Sequence, residues 1–426
     1  MFLFLVYEEF GKDKLSTHNP KNVIENLRNH LAAHDRPLTF LFGAGTSSAV
    51  NIAPAAPPGE KQGYEPLVPS IEPLTKQCKA AMENLGKAFS NAWKLLESEC
   101  RKVNVENILS RLHSKIDAIG REKLLGLTKE ELERMERTIR KTIGGAVMLK
   151  EERIPNQLPH DDFAEWVKQS GRTVPLEIFT TNYDVLLERS LERAHVPFFD
   201  GFVGGYEPFF YGDSLGREDL LPSSRWVRLW KIHGSVNWQL VKRSGRERII
   251  RTRPTGTGEM IFPSHRKYDE SRKQPYTALM DRLGQVLSRD HALLISCGYG
   301  FGDEHINALI FSVLDNKRTS NVIALQFGEL RLEDALVKWS TERRNFMVLG
   351  ENGGVIGGRW GTWQLLNPVD DQTHSFMDTA FDSDASKPDS TDASLEEGRS
   401  GKMRLVDFNR FCKFLNTMER KSEDEL

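Results

Sequence analysis

Four short segments of the chain carry residue types and spacings that could do chemistry. They read GAGTSS at 43–48, TTNYD at 180–184, HGS at 233–235 and CGYGFGDEH at 297–305. Each segment follows a short apolar run of the kind that forms a buried strand. Since ligands of open parallel sheets bind outside the carboxyl ends of the strands, we expect the four segments to form one site.

The glycines of the first and last segments favour close contact between the backbone and a phosphate or ribose. Gly43 and Gly45 permit a sharp turn and a close approach to a pyrophosphate, and N–H groups at the start of a following helix attract an anion. Gly298, Gly300 and Gly302 permit the same approach in the last segment. The GxGxxG spacing of dinucleotide-binding turns is absent, so a glycine turn without a ligand stays an open alternative.

The other segments supply side chains suited to catalysis. Asn182 can hydrogen-bond a ribose or hold a water, and Asp184 can cap the helix predicted to follow it. His233 suits a general base because histidine titrates near neutral pH, and a hydrogen-bonded structural histidine is the alternative. Asp303 and His305, one acid and one histidine, are too few ligands to predict a metal site, so we expect none.

The elements that must position these residues follow the pattern of an α/β fold. Helical spacing of apolar residues predicts a helix at 20–34. Short apolar runs predict strands at 37–42, 174–179, 228–232, 292–296, 322–325 and 346–349. Alternation of such runs with helices predicts a Rossmann-type, mostly parallel sheet with helices on both faces.

The chain divides into a large domain and a C-terminal segment. Residues 1–370 form the predicted catalytic domain, in which the proline-rich stretch 51–73 is a long loop and 74–165 is a helical insertion. Within the insertion, Thr128 and Glu131 have the spacing of a capping box. Residues 371–402 are rich in Asp, Ser and Thr and predict a flexible linker, and 403–426 predict a C-terminal amphipathic helix that docks in cis or on a partner.

Composition narrows the class of protein. The 426 residues carry a formal net charge of -2, with 39% hydrophobic and 28% charged residues, which is typical of a soluble globular protein and does not indicate direct nucleic-acid binding. We predict no membrane span and no signal peptide, and therefore a cytoplasmic protein. The four cysteines are far apart and form no CxxC pair, which argues against a zinc ribbon or a disulfide framework.

Taken together and in this order, the four segments resemble the sirtuin family (silent information regulator two-like proteins). Sirtuins carry a GAG-S turn, a T-Q-N-x-D segment, an H-G segment with a basic histidine and a later G-x-S-type turn. The resemblance implies that NAD binds as the substrate, with His233 as the catalytic base, Asn182 at the nicotinamide ribose and Asp184 positioning the asparagine segment. It also implies contacts to NAD from Gly43, Ala44, Gly45, Thr46, Ser47, Gly298, Tyr299 and Gly300.

The chain departs from the deacetylase sirtuins in three places. It has no four-cysteine zinc module, G-I-P-D-F-R does not follow the GAG turn, and Thr181 stands where T-Q-N has glutamine. Its T-T-N-Y-D, H-G and G-Y-G-x-x-D segments are closer to the sirtuin-like domains of bacterial anti-phage defence systems, which hydrolyse NAD on infection. The resemblance therefore implies an NAD hydrolase that releases nicotinamide and ADP-ribose.

Some of these defence proteins assemble with a HerA-type hexameric ATPase encoded beside them. This chain has no GxxxxGK[ST] P-loop of its own. The resemblance implies a homo-oligomer and a HerA-type ATPase as partner. Two alternatives stay open, namely an NAD-dependent deacylase or ADP-ribosyltransferase, and a non-catalytic subunit that senses NAD or ADP-ribose.

Overall fold

The computed structural model describes most of the chain. The described residues are 16–54, 57, 63–100, 103–148, 151–243, 245–254, 275–366, 371–383 and 399–418. Their α-helices are α1 (Pro20–Ala32), α2 (Ala44–Ser48), α3 (Ile71–Leu85), α4 (Lys87–Ser98), α5 (Val105–Ala118), α6 (Lys129–Val147), α7 (Pro159–Gln169), α8 (Leu186–Arg193), α9 (Tyr276–Leu287), α10 (Glu304–Asn316), α11 (Ala335–Thr341), α12 (Asp371–Ala380) and α13 (Phe408–Thr417). Short 3-10 helices span Glu151–Arg153, Gly212–Gly216 and Glu218–Leu220.

The strands of the described residues form one large sheet and two small ones. They are β1 (Thr17–His18), β2 (Leu38–Phe42), β3 (Glu177–Thr180), β4 (Phe198–Phe199), β5 (Phe202–Val203), β6 (Phe209–Phe210), β7 (Val227–Lys231), β8 (Trp238–Arg243), β9 (Arg246–Arg251), β10 (Leu293–Cys297), β11 (Asn321–Leu325), β12 (Phe346–Leu349), β13 (Gly353–Ile356), β14 (Arg359–Leu365), β15 (Phe381–Asp382), β16 (Arg399–Ser400) and β17 (Lys402–Met403). All six strands predicted from the sequence are therefore confirmed.

The large sheet is mostly parallel, as predicted. Its strand order is β1-β14-β13-β12-β11-β10-β2-β3-β7-β4, and β16 pairs with β14. The run from β12 to β4 is parallel throughout, whereas β13 pairs antiparallel with β12 and β14. The segments GAGTSS, TTNYD, HGS and CGYGFGDEH therefore leave the sheet side by side, at the carboxyl ends of β2, β3, β7 and β10.

Helices cover both faces of this sheet. Side chains alternate between the faces of a strand, and in β2 Phe40 and Phe42 belong to one buried cluster while Leu41 belongs to the other. The first cluster is completed by α1, α7, α8, α12 and α13, and the second by α9, α10 and α11. The prediction of a Rossmann-type α/β fold is confirmed.

The helical insertion is shorter than the sequence predicts. Helices α3 to α6 bury their own apolar core, and the predicted capping box forms, with the Thr128 N–H donating to Glu131 Oε2 at 2.8 Å. Helix α7 lies outside this core, because Phe163 and Trp166 pack edge-on against Phe40 of the main sheet. The insertion therefore ends before α7, and the predicted end near residue 165 is corrected.

The C-terminal region is part of the main core. Part of the predicted linker 371–402 is wrong, because α12, β15 and β16 lie within it, while 384–398 fall outside the described residues. The predicted amphipathic helix forms as α13 and docks on its own chain, where Phe408 and Phe411 lie with ring centroids 5.4 and 6.2 Å from those of Phe42 and Phe40. The apolar side of α13 faces the sheet, which gives the C-terminal segment a structural role in the domain.

The described residues lack two kinds of feature. No helix among them combines the length and the hydropathy that crossing a membrane requires. Nor do these residues bring together three or more His, Cys, Asp or Glu side chains in a group suited to a metal ion.

Candidate active site

The structure brings the four predicted segments together at one edge of the sheet. The Gly43 N–H donates to the Cys297 carbonyl at 3.1 Å, which joins GAGTSS to CGYGFGDEH. The Val236 N–H donates to the Tyr183 carbonyl at 3.0 Å, which joins the residues after His233 to TTNYD. The parallel register of β2, β3, β7 and β10 produces this arrangement, since each segment begins where its strand ends.

Asn182 lies at the centre of a buried hydrogen-bond network. Its Nδ2 donates to Thr46 Oγ1 at 3.0 Å and to Ser47 Oγ at 2.8 Å. Its own backbone N–H donates to Thr180 Oγ1 at 3.0 Å. Both hydrogens of the amide therefore point at the GAGTSS turn, and the side chain is held in one orientation with Oδ1 as its remaining polar atom.

Asp184 closes this network and forms a turn before α8. Its Oδ2 accepts from Ser47 Oγ at 2.7 Å, and its Oδ1 accepts from the Leu186 N–H at 3.1 Å at the start of α8. The buried Lys231 ammonium donates to the Asp184 carbonyl and to Glu188 Oε1. Asp184 therefore forms a turn just before α8, one residue ahead of the N-cap position that we predicted for it, and its carboxylate reaches the GAGTSS turn through Ser47.

His233 forms a buried pair with Asp303. The His233 Nε2 and Asp303 Oδ2 atoms are 2.9 Å apart, and both side chains are buried. Asp303 is also the N-cap of α10, where its Oδ1 accepts from the backbone N–H groups of His305 and Ile306. The carboxylate is therefore fixed by the helix, and it fixes the imidazole in turn.

The glycines Gly43, Gly45 and Gly298 have a packing role that the sequence did not predict. A Cβ on Gly43 or Gly45 would lie 2.5 Å from a backbone atom of Gly298. Gly298 has φ +62°, and a Cβ there would lie 2.4 Å from the Thr46 nitrogen. These glycines are required because two backbone turns pack directly on each other, and the N–H groups of Gly43 and Gly45 donate across that contact.

The remaining predicted NAD contacts divide into accessible and buried positions. Ala44 and Gly300 are exposed, and a Cβ on Gly300 would meet no protein atom within 4 Å. The side chain of Tyr299 is buried, and its hydroxyl donates to Asn307 Oδ1 at 3.1 Å. Thr46 and Ser47 are fully buried. Their hydroxyls and the Tyr299 ring support the turns from within, and the predicted contacts of these residues with NAD stay a prediction.

The helical insertion packs against the site through Tyr183. Tyr183, Val185 and Val236 all contact the buried core of α3 to α6. The Tyr183 ring centroid is 6.4 Å from that of His233. Burial, followed by the nearby negative charge of Glu106 on α5, raises the pKa of Tyr183 well above its ordinary value. Tyr183 is therefore neutral at physiological pH and connects the insertion to the catalytic edge.

Sequence reasoning missed two functional contributors. It considered Asp303 only as a metal ligand, although an Asp that follows a glycine turn and precedes an apolar helix is typical of an N-cap. It did not consider Lys231, because a lysine that ends an apolar strand carries no signal of burial. The partner of each residue lies far along the chain, and the fold alone brings them together.

One comparison with known proteins bears on the family of the chain. Residues 176–344 match the family model described as SIR2-like domain. The matched range contains Asn182, Asp184, His233 and Asp303, and it leaves out the GAGTSS turn. No curated protein matches the chain significantly. Residues 176–344 are therefore similar to a SIR2-like domain, which supports a sirtuin-like family and an NAD-related function.

Proposed function

We propose that this protein is an NAD hydrolase that releases nicotinamide and ADP-ribose and depletes cellular NAD in anti-phage defence. The observation that carries the proposal is the buried His233–Asp303 pair at the carboxyl edge of the sheet, within the SIR2-like segment. A histidine oriented by a carboxylate is the arrangement that general-base catalysis uses. The defence setting, a homo-oligomeric assembly and a HerA-type ATPase partner rest on the sequence resemblance alone.

In the proposed reaction, NAD lies across the carboxyl edge of the sheet with its pyrophosphate at the exposed Ala44. Asn182 is suited to orient the ribose or the attacking water through Oδ1, because Thr46 and Ser47 hold its Nδ2. His233 is suited to act as the general base, because Asp303 orients its imidazole through Nε2. The negative charge of Asp303 would stabilise the imidazolium that forms.

The proposed step balances as a hydrolysis. The bond between C1′ of the ribose and the nicotinamide nitrogen breaks, and its electron pair neutralises the positive charge of the pyridinium ring. The ribose passes through an oxocarbenium-like state. The water oxygen then bonds to C1′, and His233 accepts the proton that the water loses. The products are nicotinamide, ADP-ribose and one proton.

The test is NAD consumption by the purified protein, alone and with the HerA-type ATPase, followed by chromatography of the products. We expect nicotinamide and ADP-ribose in equal amounts, and their loss in Asn182→Ala and His233→Ala. The matched control is His305→Ala, which removes an exposed imidazole two residues from Asp303 and should retain activity.

Each other outcome of this experiment contradicts the proposal. Full activity in both Asn182→Ala and His233→Ala would remove these residues from the mechanism. Nicotinamide release that depends on an acetyl-lysine peptide or a protein acceptor would indicate a deacylase or an ADP-ribosyltransferase. Tight NAD binding without turnover under every condition would indicate a sensor subunit.

A further inference from the structure

Lys231 is a buried lysine at the carboxyl end of β7, next to the catalytic edge of the sheet. It is 2% exposed, and it pairs in register with Thr180, the residue at which β3 ends and TTNYD begins. Since side chains alternate between the faces of a strand, Lys231 lies on the face of Val227 and Leu229, which helix α8 covers. An ammonium in such a place is costly to bury, so its hydrogen bonds indicate what it does there.

The Lys231 ammonium joins the backbone of TTNYD to helix α8. Its Nζ donates to the Asp184 carbonyl and, at 2.9 Å, to Glu188 Oε1. The Asp184 carbonyl lies just outside the helical pattern of α8, because the Arg189 N–H donates to the next carbonyl, that of Val185, at 3.0 Å. The lysine therefore gives a hydrogen bond to the last carbonyl before the helix begins.

Asp184 transmits this restraint to Asn182. Its Oδ2 accepts from Ser47 Oγ at 2.7 Å, and the Asn182 Nδ2 donates to the same Ser47 oxygen at 2.8 Å. A shift of the Asp184 backbone would therefore carry its carboxylate away from Ser47 and loosen the amide that, in the proposed function, presents Oδ1 to NAD. Misplacement of a catalytic group by about 1 Å is enough to slow a reaction roughly 100-fold.

The contact with Glu188 serves a different purpose. The Glu188 carboxyl is buried, and its Oε2 has no hydrogen-bond partner among the described residues. Burial raises the pKa of Glu188, while the positive charge of Lys231 acts in the opposite direction. Glu188 therefore compensates the burial of the ammonium, whereas the Asp184 carbonyl is the partner that leads to the active site.

We propose that Lys231 is a positioning residue, which orients Asn182 by holding the Asp184 carbonyl, and that Glu188 only offsets the cost of burying the ammonium. The inference rests on the proposed NAD hydrolysis, in which Asn182 acts on the ribose or the attacking water. A purely structural lysine would affect turnover only through the stability that its loss removes. The two roles can be separated, because a buried ion pair can be removed as a unit.

The first test compares Lys231→Met with the double variant Lys231→Met, Glu188→Met by thermal unfolding and steady-state kinetics. The single variant leaves a buried carboxyl without its partner, and we expect Tm to fall by about 5 °C or more. The double variant removes both charges and fills their space with apolar side chains, so its Tm should return to within about 2 °C of the wild type. Its kcat should stay about tenfold or more below the wild type while KM changes less than about threefold, because the Asp184 carbonyl has lost its donor.

The matched control is Glu188→Gln, which neutralises the carboxyl at nearly constant volume and leaves the lysine bound to the Asp184 carbonyl. We expect its kcat to stay within about threefold of the wild type. Recovery of both Tm and kcat in the double variant would overturn the proposal, because the lysine would then be structural only. A loss of kcat in Glu188→Gln as large as that in Lys231→Met would also overturn it, in favour of the ion pair.

Hydrogen–deuterium exchange of the peptide that covers 181–186 tests the proposal without turnover. These amides include the Asn182 N–H bonded to Thr180 Oγ1 and the Leu186 N–H bonded to Asp184 Oδ1. We expect exchange about tenfold faster in the double variant than in Glu188→Gln. Equal exchange in the two variants would overturn the positioning role. Faster exchange in a protein that does not consume NAD would support that role and contradict the proposed function alone.

Discussion

At the residue scale, the orientation of His233 depends on one carboxylate. Asp303→Asn keeps an oxygen that can cap α10 but removes the negative charge beside Nε2. We expect kcat for NAD hydrolysis to fall about 100-fold or more while KM and the unfolding midpoint change little. Steady-state kinetics and thermal unfolding check this prediction. Activity within twofold of the wild type would show that Asp303 serves only as a helix cap.

Substitution by alanine should lower the free energy of unfolding at Gly298 but not at Gly300, although both glycines belong to one turn. Gly298→Ala places a Cβ against the Thr46 nitrogen at a positive φ, so we expect the free energy of unfolding to fall by about 2 to 4 kcal/mol. Gly300→Ala meets no protein atom and should leave stability within about 0.5 kcal/mol. If NAD approaches the backbone at Gly300, that variant raises KM. Chemical unfolding and kinetics of both variants measure the contrast, and equal stability losses would contradict it.

Residue-level prediction from the sequence expected the four segments to meet at one edge, and the structure adds contacts among them that the sequence did not indicate. Asn182 and His233 were identified because they follow strands whose carboxyl ends share one edge. The pairing of His233 with Asp303 was missed, since 70 positions separate the two residues and no local pattern joins them. Gly298 was expected to allow a close approach to a phosphate or ribose, and the structure shows that contact with another turn also requires a glycine there. Local sequence specifies which residue types stand at the edge, and the fold decides what they touch.

At the element scale, α13 should behave as part of the catalytic domain. Phe411→Ala removes a fully buried ring near Phe40 of β2, and we expect a loss of about 3 to 5 kcal/mol of unfolding free energy. The exposed Lys413 on the same helix provides the control, because Lys413→Ala should change stability by about 0.5 kcal/mol or less. Urea unfolding followed by circular dichroism measures both. An unchanged midpoint in Phe411→Ala would indicate that α13 is dispensable for the fold.

Elements were predicted well where their patterns are long and apolar. The buried strands β2, β3, β7, β10, β11 and β12 each contain a short, mostly apolar run, as is typical of a parallel sheet covered on both faces. Helix α12 was missed because it is flanked by polar sequence that resembles a linker. The short strands β4, β5 and β6 were missed because two residues establish no periodicity. The positive charge of the hairpin formed by β8 and β9 was missed because the formal net charge is a sum over the whole chain.

At the scale of the whole molecule, the buried ion pairs show why the fold could not be derived completely. Glu177 is buried at the start of β3 and accepts hydrogen bonds from Arg228, Trp230 and Arg282. Arg228 and Arg282 lie 51 and 105 residues away from Glu177. A sequence pattern indicates that charged residues are present but not that they meet under the sheet. Such pairs are recognised only once the topology is known.

The pH dependence of global stability should report on His160, which is buried between α13 and the active-site network. Burial lowers its pKa to about 4, although Asp184 and Asp161 act in the opposite direction. Because the unfolded chain binds this proton near pH 6.5 and the folded chain only near pH 4, stability is intact above pH 6.5 and decreases as the pH falls. The expected loss from His160 alone is about 3 kcal/mol between pH 7 and pH 4.

His160→Phe and His160→Gln isolate this contribution, because every other titrating group is common to the wild type and the variants. The measurement is urea unfolding at pH 7, 5.5 and 4. We expect the free energy of unfolding of the wild type, relative to either variant, to decrease steadily as the pH falls. A difference that stays constant across this range would mean that His160 is protonated as readily in the folded protein as in the unfolded chain. In that case acid unfolding could not be attributed to protonation of His160 at its contact with Phe408 of α13.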